Sequence, residues 1–383
     1  MSRIARIEAW PANAPLEATY LMSTGTVPGI SRTIVRVTTS DGVVGLGESA
    51  STADADELVG ELGQSFVGRE TKVVRDELAQ APLPTPVHRA DGQVVIHRPE
   101  TGVEIALWDI VAREAGVPLY ELFGGKCRST VAFSEYFAYR PGREDTPGEI
   151  AAFCARMAEE HGSSVFEGKV AVSPLEQDVH MVREIRAAIG TECELRLDAN
   201  MGWAPATARR ALELLEPFGI ANLEEPVASF ADMSDLRSST TIPFSAHTPD
   251  VAEAARHGAP DTLVVGLGPF GGIGGARRFI GACEEAGVGF WFYSGDFGIA
   301  TAAYIQIAAA TPYVKASSQS LLRWTTDDVI AGGPFSPEGG VVQVPDGPGL
   351  GVELDENALR RCAERYAREG AYDFYTGGPV PRY

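Results

Sequence analysis

The feature that most limits how this chain can fold is an alternation of short apolar runs and helical patterns that begins near residue 130. Each run has the length of a buried strand, and an amphipathic helical pattern follows it. Eight such runs, at spacings of roughly 20 to 35 residues, predict an α/β fold with a parallel (β/α)₈ barrel, a TIM barrel. The predicted strands span residues 131–136, 165–170, 194–199, 221–225, 243–247, 262–266, 289–293 and 314–319.

The first third of the chain has a different pattern. Residues 33–38 and 42–47 are β-rich runs separated by a Ser-Asp-Gly sequence, which predicts an antiparallel hairpin. Helical patterns follow at 53–67 and 102–115, so we predict a small α+β domain. A last helical pattern near the C-terminus is predicted to return to that domain. The predicted units are the α+β domain at 1–125, the barrel at 126–350 and the C-terminal segment at 351–383.

One helix of the barrel region has well-marked ends. Ser173 can cap its first turn, Pro174 suits the first helical position and Glu176 completes a capping box. Gly190 readily ends a helix. The sequence therefore predicts a helix over residues 174–189.

The composition excludes two classes of partner. The 383 residues include 32 Lys and Arg against 52 Asp and Glu, which gives a formal charge of −20. Such an acidic surface repels nucleic acid and anionic lipid. The start of the chain lacks a signal-peptide pattern and no run approaches about 18 apolar residues, so we expect a cytoplasmic protein. The five cysteines are scattered without a CxxC motif, so we expect free thiols.

Two acids and a histidine end three consecutive predicted strands. Asp198, Glu224 and His247 are spaced by about one βα unit, so the carboxyl ends of neighbouring strands would bring them side by side. Two carboxylates at one barrel mouth repel each other unless a cation lies between them. The pattern predicts a divalent metal site, where oxygen ligands favour Mg²⁺ and an imidazole also suits Mn²⁺. Asp250 is an alternative third ligand, or a helix cap.

Lys169 ends the second predicted strand, next to the strand that carries Asp198. An ammonium in a partly buried site near a dication should have a lowered pKa, which a lysine general base requires. The spacing equally allows a structural ion pair with Glu167 or with Asp198. Lys169 is therefore a candidate base, and the ion pair stays open.

Several motifs together resemble the enolase superfamily, in its mandelate racemase and muconate lactonizing branch. The resemblance implies a modified TIM barrel, (β/α)₇β, with an N-terminal α+β capping domain completed by the C-terminal tail. It also implies an essential Mg²⁺ bound by Asp198, Glu224 and His247, and removal of the proton α to a carboxylate to give a metal-stabilised enediolate. The matching motifs are residues 102–125 (GVEIALWDIVAREAGVPLYELFGG), Lys169, Asp198 with Asn200, Glu224-Glu225-Pro226, Gly271-Gly272-Ile273 and residues 348–355 (PGLGVELD).

The sequence departs from that family at the residues that would transfer protons. The family's Lys-x-Lys motif reads Glu167-Gly168-Lys169, and Gly266 and Tyr293 stand where mandelate-like members carry an Asp and a His as a second base. One base suffices for β-elimination of water, with Tyr293, protonated Lys169 or metal-bound water as the acid. A neutral third ligand is similar to the glucarate dehydratase group. The resemblance therefore favours dehydration of an acid sugar, a carbon–oxygen lyase reaction.

Two other functions stay open. A racemase, epimerase or cycloisomerase would need an acid on the other face of the substrate, from Tyr293, Asp296 or the first domain. A catalytically silent protein would retain the metal site without proton transfer. Glu167, where the family places a cation near the substrate carboxylate, would have to be protonated, paired with Lys169 or turned away.

The expected ligand is a small-molecule carboxylate. Its predicted contacts are Tyr136, Glu167 and Asn200, and two loops of the first domain, at 21–30 and 82–97, are expected to select it. Similar proteins are commonly homo-oligomers, which is the expectation here.

Overall fold

The computed structural model describes residues 2–82, 98–293 and 295–372, and the backbone of two short strands between the first two ranges. The loop at 82–97, predicted to help select the substrate, therefore lies almost wholly outside the described residues. None of the described helices is long and apolar enough to span a lipid bilayer.

The N-terminal domain is built on a three-stranded antiparallel sheet in the order β1-β2-β3. Thr38 pairs with Val44 across the turn between β2 and β3, which confirms the predicted hairpin. The sequence pattern misses β1, because its exposed and buried positions do not alternate strictly. The strands are β1 Ile4–Met22, β2 Gly25–Thr39 and β3 Val44–Ser49, and a separate antiparallel pair is formed by β4 Val87–His88 and β5 Val94–Val95.

A buried helix packs against this sheet. The helices of the domain are α1 Asp54–Val59, α2 Glu61–Gln64, α3 Thr71–Gln80 and α4 Thr101–Ala115. Helix α4 confirms the predicted helix at 102–115 and is buried over most of its length. Its approach to β3 requires glycine, since a Cβ atom at Gly47 would lie 1.8 Å from the carbonyl oxygen of Gly102. The helix predicted at 53–67 is instead divided into α1 and α2 at Gly60.

The second unit is a parallel sheet whose seven strands, β7 to β13, neighbour one another in sequence order and alternate with helices. This arrangement confirms the predicted α/β barrel architecture and six of its strands, the second to the seventh. The strands are β6 Thr130–Ala132, β7 Glu135–Phe137, β8 Val165–Lys169, β9 Glu194–Asp198, β10 Asn222–Glu224, β11 Phe244–Ala246, β12 Thr262–Val264, β13 Gly289–Trp291 and β14 Val341–Gln343. The helices are α5 Pro147–His161, α6 Leu175–Ile189, α7 Pro205–Leu215, α8 Phe230–Leu236, α9 Val251–His257, α10 Ile273–Ala286, α11 Gly298–Ala310 and α12 Glu356–Glu369.

The first and eighth predicted strands need correction. The run at 131–136 is divided, because β6 pairs antiparallel with β14 and only β7 joins the seven-stranded sheet. The run at 314–319 forms no continuous strand, but it bridges the two edges of the sheet. Ser134 N–H, directly before β7, donates to the Ser318 carbonyl (2.8 Å), and Gln319 N–H donates to the carbonyl of Phe292 (2.9 Å), directly after β13. Isolated hydrogen bonds thus close the ring where a full ladder was expected.

The start of α6 also differs from the prediction. Pro174 occupies the cap position and no side chain caps the helix, so the capping box of Ser173 and Glu176 is wrong. Asp178 instead turns back and accepts a hydrogen bond from the Ala171 N–H at 2.7 Å. Gly190 ends the helix with φ 72°, as predicted.

The C-terminal helix α12 packs on β1 of the N-terminal sheet. Asp355 caps its first turn, and the Arg365 guanidinium donates to the Asn13 carbonyl at 2.8 Å. A second contact is an ion pair between Arg36 of β2 and Glu356, at 2.5 Å. The tail therefore contacts the first domain, while the unit boundaries near residues 125 and 350 stay predictions.

Glu104, on α4, connects the first domain to the barrel. Its buried carboxylate accepts hydrogen bonds from the N–H groups of Ile273 (2.7 Å) and Gly274 (2.8 Å), at the start of α10. The indole N–H of Trp108 donates to the same carboxylate at 2.7 Å. Burial nevertheless raises the pKa of Glu104 to about 7, because desolvation outweighs these donors.

We predict a pH dependence of stability that originates at Glu104. Its folded-state pKa lies above the unfolded value of 4.5, so the folded state binds the proton more tightly and loses stability as pH rises from about 4.5 to about 7. The difference amounts to roughly 3 kcal/mol at most. Glu104→Gln should remove this part of the slope when unfolding free energy is measured by urea denaturation across that range.

The matched control is Glu100→Gln, one helical turn earlier on a partly exposed side chain. This variant should keep the wild-type slope. An unchanged slope in Glu104→Gln would contradict the assignment.

Candidate active site

Strand register places the candidate side chains together. Lys169 of β8 pairs with Asp198 of β9, and Asp198 pairs in turn with Glu224 of β10. His247 directly follows β11, the next strand. Because the strands are parallel, all four side chains lie at the carboxyl end of the sheet, where barrel enzymes hold their active sites.

The three predicted metal ligands converge. One ligand atom from each of Asp198, Glu224 and His247 lies within 4.8 Å of the other two. Both carboxylates are completely buried, whereas the His247 side chain is about one-third exposed. Burial and the nearby Asp198 charge raise the pKa of Glu224 to about 8, although His247 lowers it, so a cation close by favours the ionised form.

Which ring nitrogen of His247 carries a proton decides whether this side chain can bind a metal ion. Its Nδ1 lies 2.8 Å from the Val264 carbonyl, which can only accept, so Nδ1 carries a proton. The other nitrogen, Nε2, faces Glu224 Oε1 at 2.6 Å. Two acceptors at this distance need a proton or a cation between them. Metal-binding histidines usually donate their second ring N–H to a carboxylate, a backbone carbonyl or water, as His247 Nδ1 does to the Val264 carbonyl. These residues therefore fit a divalent ion.

Asp250, the alternative third ligand, has another contact. Its carboxylate accepts a hydrogen bond from the Glu253 N–H at 2.9 Å and caps α9. The structure brings His247, and not Asp250, together with Asp198 and Glu224 in the described cluster.

Lys169 forms the ion pair that the sequence left open, and its partner is Asp198 rather than Glu167. Its ammonium also lies 5.7 Å from the ring centre of Tyr136. Burial alone would lower the pKa of Lys169, but the Asp198 carboxylate holds it well above its usual value. The expected lowering of this pKa is therefore not found, because Asp198 and the other acidic side chains nearby together outweigh burial.

Glu167 faces the interior of the barrel and is completely buried. It accepts hydrogen bonds from Ser134 Oγ (3.1 Å) and Gln319 Nε2 (2.8 Å), and Arg196 lies 3.8 Å away. One alternative for Glu167 was an ion pair with Lys169. The structure instead pairs Glu167 with Arg196. Contact between Glu167 and the substrate stays a prediction.

Gln319 links Glu167 to a predicted metal ligand. The same amide nitrogen that donates to Glu167 also donates to Glu224 Oε2 at 2.5 Å, which leaves the other oxygen of Glu224 facing His247. The strand pattern gave no signal for this bridge, because Gln319 lies on the irregular segment that closes the barrel. Arg196 carried no signal either, since it occupies the middle of a strand.

Asn200 holds Asp198 in position. Its backbone N–H donates to Asp198 Oδ1 (2.8 Å) and its side-chain amide to Oδ2 (3.0 Å). Tyr136 is buried beside Lys169. Contact of the substrate with Asn200 and Tyr136 stays a prediction.

At the two positions where a second base was considered, the residues are Gly266 and Tyr293, neither of which is a carboxylate or an imidazole, and Asp296 lies in the same pocket. Tyr293 packs edge-on against His247, with ring centres 5.3 Å apart. At Gly266, a Cβ atom would lie 3.0 Å from the Tyr304 hydroxyl, so that tyrosine occupies the space of a side chain. The sheet order puts Lys169 and these residues on opposite sides of Glu224.

Three similar proteins cover nearly the same length of chain. A probable glucarate dehydratase from Streptomyces coelicolor is 28% identical over 88% of this chain and 86% of its own. Muconate cycloisomerase 1-1 from Acinetobacter lwoffii is 27% identical over 96% of this chain and 97% of its own. The crystal structure of an enolase from Thermobispora bispora, complexed with magnesium and formate, is 27% identical, with a TM-score of 0.87 over 98% of this chain and 96% of its own.

Family models account for both units of the chain. Residues 5–124 match the mandelate racemase / muconate lactonizing enzyme N-terminal domain, and residues 149–358 match the enolase C-terminal domain-like family. Together with the barrel and the clustered acids, these matches show that the chain belongs to the mandelate racemase and muconate lactonizing branch of the enolase superfamily.

Proposed function

We propose that the chain is a Mg²⁺-dependent dehydratase of an acid sugar or a related hydroxy acid. One observation carries the proposal: Lys169 lies on one side of the predicted metal ligands, whereas the opposite side holds Gly266 and Tyr293, and the Asp296 carboxylate there is already paired with Arg32 and Tyr304. A single base on one face supports removal of an α-proton followed by loss of a β-hydroxyl.

Asp198, Glu224 and His247 would hold the metal ion. When bound, Mg²⁺ or Mn²⁺ would supply positive charge opposite the negative charge that develops on the substrate carboxylate. Asn200 and Gln319 keep the two carboxylates in position through the hydrogen bonds described above.

Lys169 would act through its Nζ atom. To accept the α-proton it must begin as a neutral amine, and the ammonium that results is stabilised by its contact with Asp198. The α-carbon–hydrogen bond breaks toward Nζ, a carbon–carbon double bond forms, and the β-carbon–oxygen bond breaks. Protonated Lys169 or the Tyr293 hydroxyl would give the proton that lets the hydroxyl leave as water.

The ligand assignment predicts a clear order of metal affinities. Asp198→Asn and Glu224→Gln should weaken Mg²⁺ binding at least about 100-fold, because each replaces an anionic oxygen by a neutral one, and His247→Ala at least about 10-fold, because it removes the imidazole ligand. Isothermal titration calorimetry measures these affinities directly.

Asp250→Asn is the matched control, since asparagine caps a helix about as well as aspartate. Its Mg²⁺ affinity should stay within about threefold of wild type. If Asp250→Asn lost Mg²⁺ binding and His247→Ala retained it, Asp250 and not His247 would be the third ligand.

Lys169→Ala should abolish exchange of the substrate α-proton with D₂O, because no other base is proposed on that face. Mg²⁺ affinity should be nearly intact, since Lys169 is not a ligand. Proton NMR in D₂O follows the exchange. Persistent exchange in this variant would show that Lys169 is not the base.

The reaction class is tested on a pool of mono- and diacid sugars incubated with wild-type enzyme and Mg²⁺ in D₂O. Mass spectrometry should find one acid that has lost a water molecule. Gain of one deuterium without loss of water would instead indicate a racemase or epimerase. Metal binding without either change would favour a silent protein.

A further inference from the structure

A cavity of about 230 Å³ opens beside the predicted metal ligand His247. Gly266, Tyr293 and Tyr304 line its barrel side, and Arg32 and Glu48 of the N-terminal sheet line the other. It is smaller than a typical drug-sized pocket, so it suits the remainder of a small substrate whose carboxyl end lies at the metal ligands.

Arg32 carries a positive charge into this cavity, but that charge is already paired. Its Nε donates to Asp296 Oδ1 at 2.5 Å, and the two other guanidinium nitrogens donate to the carbonyls of Ser31 (2.7 Å) and Gly295 (2.5 Å). The Tyr304 hydroxyl donates to the second oxygen of Asp296. Among the described lining residues, only Arg32 and His247 are basic.

Glu48 adds an acid with contacts of its own. Its two oxygens accept hydrogen bonds from the N–H groups of Phe297 (2.8 Å) and Ala300 (2.9 Å), at the start of α11. Burial and the neighbouring Asp296 raise the pKa of Glu48. Whether ionised or neutral, this carboxyl group offers no positive charge to a second anion.

A second carboxylate in this cavity would meet Asp296 and Glu48, and the described lining residues place no unpaired cation opposite it. Burying such an anion costs several kcal/mol in proteins. A hydroxyl group carries no charge and can donate to a free lone pair of the Asp296 carboxylate without breaking its bonds to Arg32 and Tyr304.

We infer that this cavity selects monocarboxylic acid sugars, whose far end is a neutral hydroxylated chain, and discriminates against dicarboxylic ones. The inference rests on the proposed function, because it assumes that the reacting carboxylate lies at the metal ligands. It separates this chain from an enzyme whose substrate is a diacid such as glucarate or muconate.

The test compares acids that differ only at the far end: D-gluconate with D-glucarate, and D-galactonate with D-galactarate. Binding is measured by calorimetry with saturating Mg²⁺ on Lys169→Ala, which should not turn over. In at least one pair the monoacid should bind about 10-fold more tightly. Equal or tighter binding of both diacids, or no binding of any of the four, would overturn the inference.

Asp296→Asn provides a second arm, because it leaves the Arg32 charge without its partner. In this background the ratio of diacid to monoacid affinity should rise at least about 10-fold. Tyr304→Phe is the matched control, since it removes a contact of Asp296 without changing charge, and its ratio should stay within about threefold. Thermal unfolding checks that both variants fold.

An unchanged ratio in Asp296→Asn would overturn the role of the Arg32–Asp296 pair. Failure of the proposed function has a separate signature. Wild-type enzyme would then exchange no α-proton with any acid that binds, whatever the order of affinities.

Discussion

The crowding of buried carboxylates at the barrel mouth is the constraint on which the site depends. Four acids, Glu167, Asp198, Glu224 and Glu225, are buried there, and the basic residues among them are Lys169, Arg196 and His247. Proton-bearing side chains face these acids: the Lys169 ammonium pairs with Asp198, and His247 lies against Glu224. A divalent ion would stabilise the ionised carboxylates more strongly than these side chains do. The same crowding of acids therefore supports both a metal site and a nearby base.

The barrel could be predicted because its strands are buried on both faces and repeat with regular spacing. Asp198, Glu224 and His247 could be predicted for the same reason, since each ends a clear apolar run. The contacts that support them could not, because they come from positions without a pattern. Gln319 lies on the irregular closing segment, Arg196 lies inside a strand, and Arg32 comes from a domain far away in sequence.

The errors have physical causes as well. Strand β1 was not predicted, because its buried and exposed residues do not alternate regularly. Different parts of the strand pack against helix α1 and against the C-terminal helix α12. The capping box of α6 fails because Asp178 makes a tertiary contact with Ala171 in place of a local cap. The lowered pKa expected for Lys169 is wrong because the direct contact with the Asp198 carboxylate, together with the other acidic side chains nearby, raises that pKa by more than burial lowers it.

The most direct test of the account is a crystal structure of the protein grown with Mn²⁺, with anomalous diffraction used to locate the ion. The account predicts one strong anomalous peak per chain, within about 2.3 Å of Asp198, Glu224 and His247 Nε2. It also predicts that Lys169 Nζ stays close to Asp198 without becoming a ligand. A peak bound by Asp250, or no peak between the two carboxylates, would contradict it.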